Sequence, residues 1–307
     1  MTTVEVRAPA TTANLGPGYD CLGMALDIWN RLTVSTLPAG STPTVQVNGE
    51  GEGELAGDTD NLTYRAMAFL YDEADTPIPP LELVCQNGIP LSRGMGSSAA
   101  AIAGGLVAAN ALLDEPFSAN DLLEMAATIE GHPDNVAAAV HGGLRLVVME
   151  DNQIYTAPIR IPAELQAVLF IPENRIATVD ARRVLPAEIS VADAVYNMSR
   201  AALLVAAMEG NRPEYLKIAT QDRLHQPYRE TIFPPMKVIF AAARDAGALG
   251  VFLSGSGSAI MALTQERAMT VAYEMFDAAR LCGVEGRVEV TTPTELGAHV
   301  VSVSSND

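Results

Sequence analysis

Positive charge is what this chain has least of. Its 307 residues carry 19 Lys and Arg against 37 Asp and Glu, a formal net charge of −18. Nucleic-acid recognition needs clustered cations to neutralise phosphates, so this balance argues against nucleic acid as a partner. It disfavours an anionic membrane surface on the same ground. Cysteine is scarce as well: Cys21, Cys85 and Cys282 are odd in number and form no CxxC pair. Neither a disulfide framework nor a zinc site is expected, and the pattern suits thiols kept reduced in a cytoplasm. Aromatic residues make up 5%, so the core must come mainly from Ala, Val, Leu and Ile within an apolar fraction of 49%. "MTTVEVRAPATT" has no basic stretch with an apolar run behind it, hence no visible signal peptide. The longest uncharged run, Gly94–Leu113, matches a membrane span in length. Its serines, its glycines and its alanine content suit a buried helix better. A soluble cytoplasmic protein of about two domains is the expectation.

Strand and helix signals alternate without an internal repeat or a steady βαβ rhythm. That predicts an α+β protein of layered domains with a boundary near residue 160. "VEVRAPATTANLGPGYD" starts as a strand and is expected to break at Pro9 into a loop holding Asn14, Gly16, Pro17 and Gly18. "TPTVQVNGEG" reads as an edge strand and "LELVCQNGIP" as a second strand. The helix between them is capped near Asp60 or Asn61. Ser118 and Asp121 form a capping box for a helix that Gly131 and Pro133 end, leaving Glu130 on its last turn. Asp134 or Asn135 caps the short helix that follows, and a hairpin turning at Asp151 and Asn152 comes next. A second block opens near "LQAVLFIPE". It holds a helix from Ser190 to Met208, another from Pro235 to Ala246, and two strands about the turn Gly255–Gly257. A helix from about Glu266 to Leu281 precedes the last strands.

"LSRGMGSSAAAIAGGLVAAN" places Gly94, Gly96, Ser97 and Ser98 at the start of the clearest helix. A serine there serves as an N-cap. Glycines that let the backbone turn tightly before two hydroxyls equally describe a phosphate nest, with N–H groups converging on an anion at the positive end of the helix. The loop is no Walker A motif, for it lacks the final lysine, and it lacks the third glycine of a Rossmann fingerprint.

Context gives the loop a class. It stands between "PATTANLGPGYDCLGMAL" and "FLSGSGSAIMAL", and three such elements in this order resemble the GHMP kinase superfamily of galactokinases, homoserine kinases, mevalonate kinases and phosphomevalonate kinases. "PATTANLGPGYDCLGMAL", "IPLSRGMGSSAAAIAGGLVAAN", "EGHPDNVAAA" and "TVDARRVLP" are most similar to the homoserine kinase family. The likeness runs along essentially the whole chain. Two positions depart from it: Tyr19 stands where phenylalanine is usual, and Ser258 where proline is typical.

The resemblance implies a two-domain GHMP kinase fold. Residues 1–160 would form the N-terminal, ATP phosphate-binding domain with a left-handed βαβ unit, and residues 161–307 a ferredoxin-like domain. It implies transfer of the γ-phosphoryl group of ATP to the side-chain hydroxyl of L-homoserine, with Mg2+, as a step of threonine biosynthesis. Members are often dimers, which makes a homodimer a further expectation. Pro90, Leu91, Ser92, Arg93, Gly94, Met95, Gly96, Ser97, Ser98, Ala99 and Ala100 would wrap the ATP phosphates, and Asn61 would contact adenine. Ser98 and Glu130 would supply oxygen ligands, which a hard cation prefers. Arg182 and Arg229 would clamp the substrate carboxylate through guanidinium forks. Asp20 would pair with its ammonium, and His132 and Asp134 would line the same pocket. Asn14, Asp134 and Arg182 are the residues this places at the reacting groups.

Asp134 follows "GHP", where several GHMP kinases put an aspartate thought to take the hydroxyl proton. Homoserine kinases are generally described as lacking such a base, and a capping carboxylate has low basicity, so Asp134 is expected to hold substrate instead. Plainer readings exist for the same residues: an N-cap for Asn61, an exposed helix-end carboxylate for Glu130, a surface ion pair for either arginine. Two rival functions remain, a GHMP kinase for mevalonate-type or sugar substrates and a non-catalytic sensor with this fold. The former have no ammonium for Asp20 to meet, and the latter should have lost a loop glycine or metal ligand.

Overall fold

Two long strands, β1 (Thr2–Asn14) and β2 (Gly18–Thr36), pair antiparallel from Thr3↔Ser35 to Asn14↔Gly18 and carry the first sheet. They belong to a computed structural model that describes residues 1–151 and 153–305. β1 does not break at Pro9 as its sequence suggests. Pro9 lies opposite Trp29 where the register shifts, and a bulge is where a strand accommodates a residue without an N–H. β3 (Thr44–Gly49) runs parallel to β4 (Leu81–Asn87), with helix α1 (Leu62–Glu73) between them in sequence, so the three form a βαβ unit at the sheet edge. α2 (Ser97–Leu112), α3 (Ala119–Glu130) and α4 (Pro133–His141) pack with α1 in one apolar cluster with the sheet. Small residues on α2 permit that layer. A β-carbon on Gly105 would lie 2.6 Å from the Thr63 carbonyl oxygen of α1. The hairpin β5 (Leu144–Glu150) and β6 (Gln153–Ile159) extends the sheet from β2. Asn152, one residue of its expected turn, lies outside the described residues.

The second sheet opens with β7 (Gln166–Pro172). The chain then runs through α5 (Thr178–Arg183), α6 (Val191–Glu209), α7 (Leu216–Ala219), α8 (Gln226–Arg229) and α9 (Met236–Asp245). The strands β8 (Gly250–Leu253) and β9 (Ile260–Thr264), helix α10 (Ala268–Leu281) and strand β10 (Gly286–Thr291) complete that sheet, and a last strand, β11 (His299–Ser305), follows. Strand order β10-β7-β9-β8, every neighbour antiparallel, with α9 and α10 as crossovers, is the ferredoxin-like split βαβ.

The sequence reading leaves the last strands in the second unit, but β11 crosses back. It pairs with β1 from Thr2↔Ser305 to Arg7↔His299, covering backbone groups that an edge strand would leave bare. Leu22, Met24 and Leu26 of β2 share an apolar cluster with Leu169 and Ile171 of β7, Phe252 of β8 and Met261 of β9. The two sheets therefore share one core, and the cleft lies between their loops. Among the described residues no helix is long and apolar enough to cross a membrane.

Candidate active site

Neither serine of the glycine loop caps α2. Its N-cap is Gly96, in the left-handed region at φ 66°, and no side chain bonds the first turn. An uncapped turn leaves N–H groups without acceptors, at the end where the helix dipole favours an anion. Ser92 and Gly94 also have positive φ, 54° and 71°. The glycines answer to their surroundings as well: a β-carbon on Gly94 would strike the Ser254 carbonyl, and one on Gly96 the Thr11 hydroxyl. The Gly255–Gly257 turn of the second sheet thus backs the loop directly. Ser254 Oγ donates to the Gly94 carbonyl at 2.6 Å, and Ala259 N to that of Arg93 at 3.0 Å.

A cleft of about 420 Å³ opens over this turn. Asn14, Asp20, Asn61, Glu130, His132, Asp134, Arg182 and Arg229 line it, together with Leu91, Ser92 and Gly94 to Ser98 of the loop. Pro90, Arg93, Ala99 and Ala100 do not. The Arg93 guanidinium donates to the carbonyls of Leu91, Pro172 and Glu173 at 2.7–3.0 Å, pinning the loop to the end of β7. Ala99 and Ala100 lie in the core beneath the loop. Arg183 is well exposed and pairs with Asp180. The Asn61 side chain accepts from Thr63 N and donates to the Ala56 carbonyl, so it caps α1 at the rim of the cleft.

Ser98 Oγ donates to Glu130 Oε1 at 2.5 Å. Burial pushes the Glu130 carboxyl above its ordinary range, against the lowering effects of Ser98 and His132. A half-buried carboxylate on a last helical turn is also opposed by the dipole, so this site is short of positive charge. Two protein oxygens beside an uncapped helix start fit a hard divalent cation, which takes oxygen ligands and keeps several waters. Among the described residues no cluster of three His, Cys, Asp or Glu side chains would hold a cation alone.

The opposite wall carries charges of both signs, from Asp20, Arg182 and Arg229. Asn14, Leu15, Gly16 and Asp20 of the β1–β2 turn all have positive φ. Asn14 Oδ1 accepts from Asp20 N at 3.0 Å, and Asn14 Nδ2 donates to the Gly255 carbonyl at 2.9 Å. Asp20 and Arg182 hold each other in a two-bond fork of 2.8 and 2.9 Å, and Tyr19 Oη accepts from the same guanidinium at 2.8 Å. Tyr19 is therefore more than a neutral change from phenylalanine. Arg229 is 3% exposed, and burial pushes its pKa down. The two acids whose charges reach it are engaged elsewhere, Asp20 by Arg182 and Asp222 by its own N–H donors.

Asp134 does not cap α4, contrary to the sequence reading. The N-cap is His132 with Pro133 after it, which puts Asp134 inside the first turn. Its Oδ1 accepts from Asn135 N at 2.8 Å and lies 3.5 Å from His132 Nδ1. That contact raises the His132 pKa. One buried residue escapes sequence reasoning altogether: His225, whose ring touches Arg229. Its signal was the i,i+4 spacing in "HQPYR", which sets both side chains on one helical face.

Two family models match the chain, that of the GHMP kinases N terminal domain over residues 61–143 and that of GHMP kinases C terminal over residues 203–279. Homoserine kinase of Moorella thermoacetica is 42% identical over 296 residues, 96% of this chain and 99% of that protein. The enzyme of the same name from Synechococcus sp. is 39% identical over 305 residues, 99% of each. The crystal structure of homoserine kinase from Cytophaga hutchinsonii matches with a TM-score of 0.88 and 30% identity, covering 97% of both chains. Mevalonate kinase of L. major, in complex with R-mevalonate, reaches a TM-score of 0.67 at 14% identity and shares the fold alone.

Proposed function

The chain belongs to the GHMP kinase superfamily, and from that premise we propose that it phosphorylates L-homoserine with ATP. The product would be O-phospho-L-homoserine, an intermediate of threonine biosynthesis, formed in the cytoplasm. One observation carries the substrate reading: Arg229 is a buried cation that pairs with no carboxylate among the described residues, beside a carboxylate, Asp20, that a second cation could claim. A buried charge is costly until it is paired, so this wall favours a ligand bearing both signs. An amino acid does.

In this reading Arg229 and Arg182 take the substrate carboxylate and Asp20 its ammonium, exchanging the Asp20–Arg182 pair for two intermolecular ones. Adenine sits near Asn61, and the ATP phosphates meet the free N–H groups at the start of α2. Ser98 and Glu130 would hold Mg2+, which when bound offsets the phosphate charge. The substrate hydroxyl oxygen bonds to the γ-phosphorus as the bond from that phosphorus to the ADP oxygen breaks. With a loose, metaphosphate-like transition state the hydroxyl proton leaves late and passes to the transferred phosphate. Asp134, bonded at Oδ1 by Asn135 N with His132 alongside, orients the hydroxyl. Positioning and charge do most of the work, as phosphoryl transfer requires.

The test is ADP release with homoserine, mevalonate, galactose or no acceptor. Homoserine alone should stimulate it strongly. Stimulation by mevalonate or galactose without homoserine would overturn the assignment.

A further inference from the structure

We propose that His225 is a positioning residue for the substrate carboxylate, holding Arg229 with one ring nitrogen and the Asn14–Asp20 turn with the other. The inference rests on the reading that Arg229 receives that carboxylate.

His225 is fully buried, so its ring nitrogens depend on protein partners. Nε2 lies 2.6 Å from the Gly16 carbonyl oxygen. A carbonyl can only accept, so Nε2 carries the proton, and in a neutral ring Nδ1 is then an acceptor. Arg229 Nη1, which can only donate, stands 3.1 Å from Nδ1. The tautomer and the arginine select each other. Protonation would set an N–H against an N–H and a cation against a cation.

The groups facing the ring support the neutral form. Asp222 Oδ2 is 3.5 Å from Nε2, but that carboxylate already accepts from Leu224 N, His225 N, Gln226 N and Asn197 Nδ2 at 2.6–3.0 Å. Tyr19 packs its ring 5.3 Å away, and Arg229 supplies the repelling positive charge. Burial pushes the imidazole pKa below its ordinary value.

Counting donors shows what the contact does. A guanidinium has five N–H bonds. Arg229 Nε donates to the Ala181 carbonyl at 3.2 Å, and Nη1 donates to the Gly255 carbonyl at 2.8 Å and to His225. Three bonds are thus fixed, and the pair on Nη2 is left for a ligand in the cleft that Arg229 lines. Without the Nδ1 acceptor, one Nη1 hydrogen would be buried and unsatisfied, and the planar group could turn.

The other end of the ring matters equally. Gly16 packs so closely on the Thr220 backbone that a β-carbon would collide with it. Its neighbours Asn14, Leu15 and Asp20 hold positive φ without being glycine, and such conformations persist only where surroundings fix them. His225 therefore ties the anion holder of α8 to the turn that carries the ammonium holder. One imidazole sets the spacing between the two charges of the substrate.

Two conservative variants separate the contacts. Glutamine places an amide N–H near Nε2 and gives up the acceptor at Nδ1; asparagine places a carbonyl near Nδ1 and gives up the donor to Gly16. His225→Gln should raise the homoserine KM by about tenfold while ATP KM stays within about twofold, the size expected for a lost bond to a charged group. His225→Asn, which keeps the acceptor for Arg229 but loses the donor to Gly16, should also raise the homoserine KM, through the turn that carries Asp20. In an Arg229→Lys background His225→Gln should add almost nothing, because its effect passes through the guanidinium. Equal homoserine KM in His225→Gln and the unaltered protein would overturn the inference, as would parallel losses for ATP and homoserine or full additivity with Arg229→Lys. Failure of the unaltered protein to use homoserine would remove the substrate reading and this inference together.

Discussion

Arg182 is about two-fifths exposed and paired with Asp20, whereas Arg229 is 3% exposed and pairs with no carboxylate among the described residues. The same side chain therefore contributes differently at two positions. Arg229→Ala should raise the homoserine KM by roughly 10–150-fold, the range for a charged hydrogen bond of about 1.5–3 kcal/mol. Arg182→Ala should raise it less, since it also releases Asp20 from a competing partner. Initial-rate kinetics should show ATP KM nearly unchanged in both. Asp134 is governed by its neighbours. Asp134→Asn keeps the acceptor for Asn135 N, so kcat should fall by less than about a hundredfold, whereas a positioned base contributes about 10²–10⁴-fold. A loss beyond about a thousandfold with intact folding would make Asp134 the base. The same variant removes the negative charge that helps to raise the His132 pKa. An NMR titration should find that imidazole shifted downward.

At the scale of elements, α3 delivers Glu130 to the start of α2, and the two helix ends make opposite demands. The start of α2 attracts anions; the end of α3 repels the carboxylate it holds. Because burial raises the Glu130 pKa, the folded chain favours its neutral form. That stabilisation is complete below the unfolded-state value and is lost as pH rises through the folded one. Glu130→Gln should therefore leave the ligand-free protein as stable or more stable at pH 8, with the gain vanishing near pH 4. It should also lower activity at limiting Mg2+ by about tenfold or more. Thermal unfolding at the two pH values and ADP release titrated with Mg2+ check both parts. A fall in stability at pH 8 would contradict the assigned burial cost.

Across the whole molecule, β11 closes the first sheet beside the far half of β1 from the site. Its partners are Thr2 to Arg7, whereas the cleft begins at Asn14, a separation of about 20 Å along a strand. Deleting residues 298–307 should lower Tm by about 5–10 °C, a loss of a few kcal/mol in a protein of this size. It should also promote association through the bared edge of β1. In protein that remains folded at 20 °C the homoserine KM should stay within about twofold, because the site walls are anchored by the shared cluster of β2, β7, β8 and β9. Scanning calorimetry, sedimentation and kinetics on the truncated chain test the three outcomes.

The sequence by itself determined the features whose hydrogen bonds close within a few residues. Ser118 with Asp121, Ser190 with Asp193, and Gly131 in the left-handed region start or stop their helices where their own letters say. The loop glycines, too, are legible, because positive φ is a local property. Tertiary structure decided which partner each remaining group meets. Ser98 gives its hydroxyl to Glu130 instead of a helix turn, and His132 displaces Asp134 as the cap of α4. Pro9 stays in a strand because Trp29 lies across a bulge, and β11 leaves one sheet for the other. His225 finds Gly16 across 209 positions of chain. Alternating or capping letters specify a donor or an acceptor, but not who will stand opposite. That choice follows from the packing of two sheets on one apolar cluster, which brings residues 14, 98, 130, 182, 229 and 255 around a single cleft.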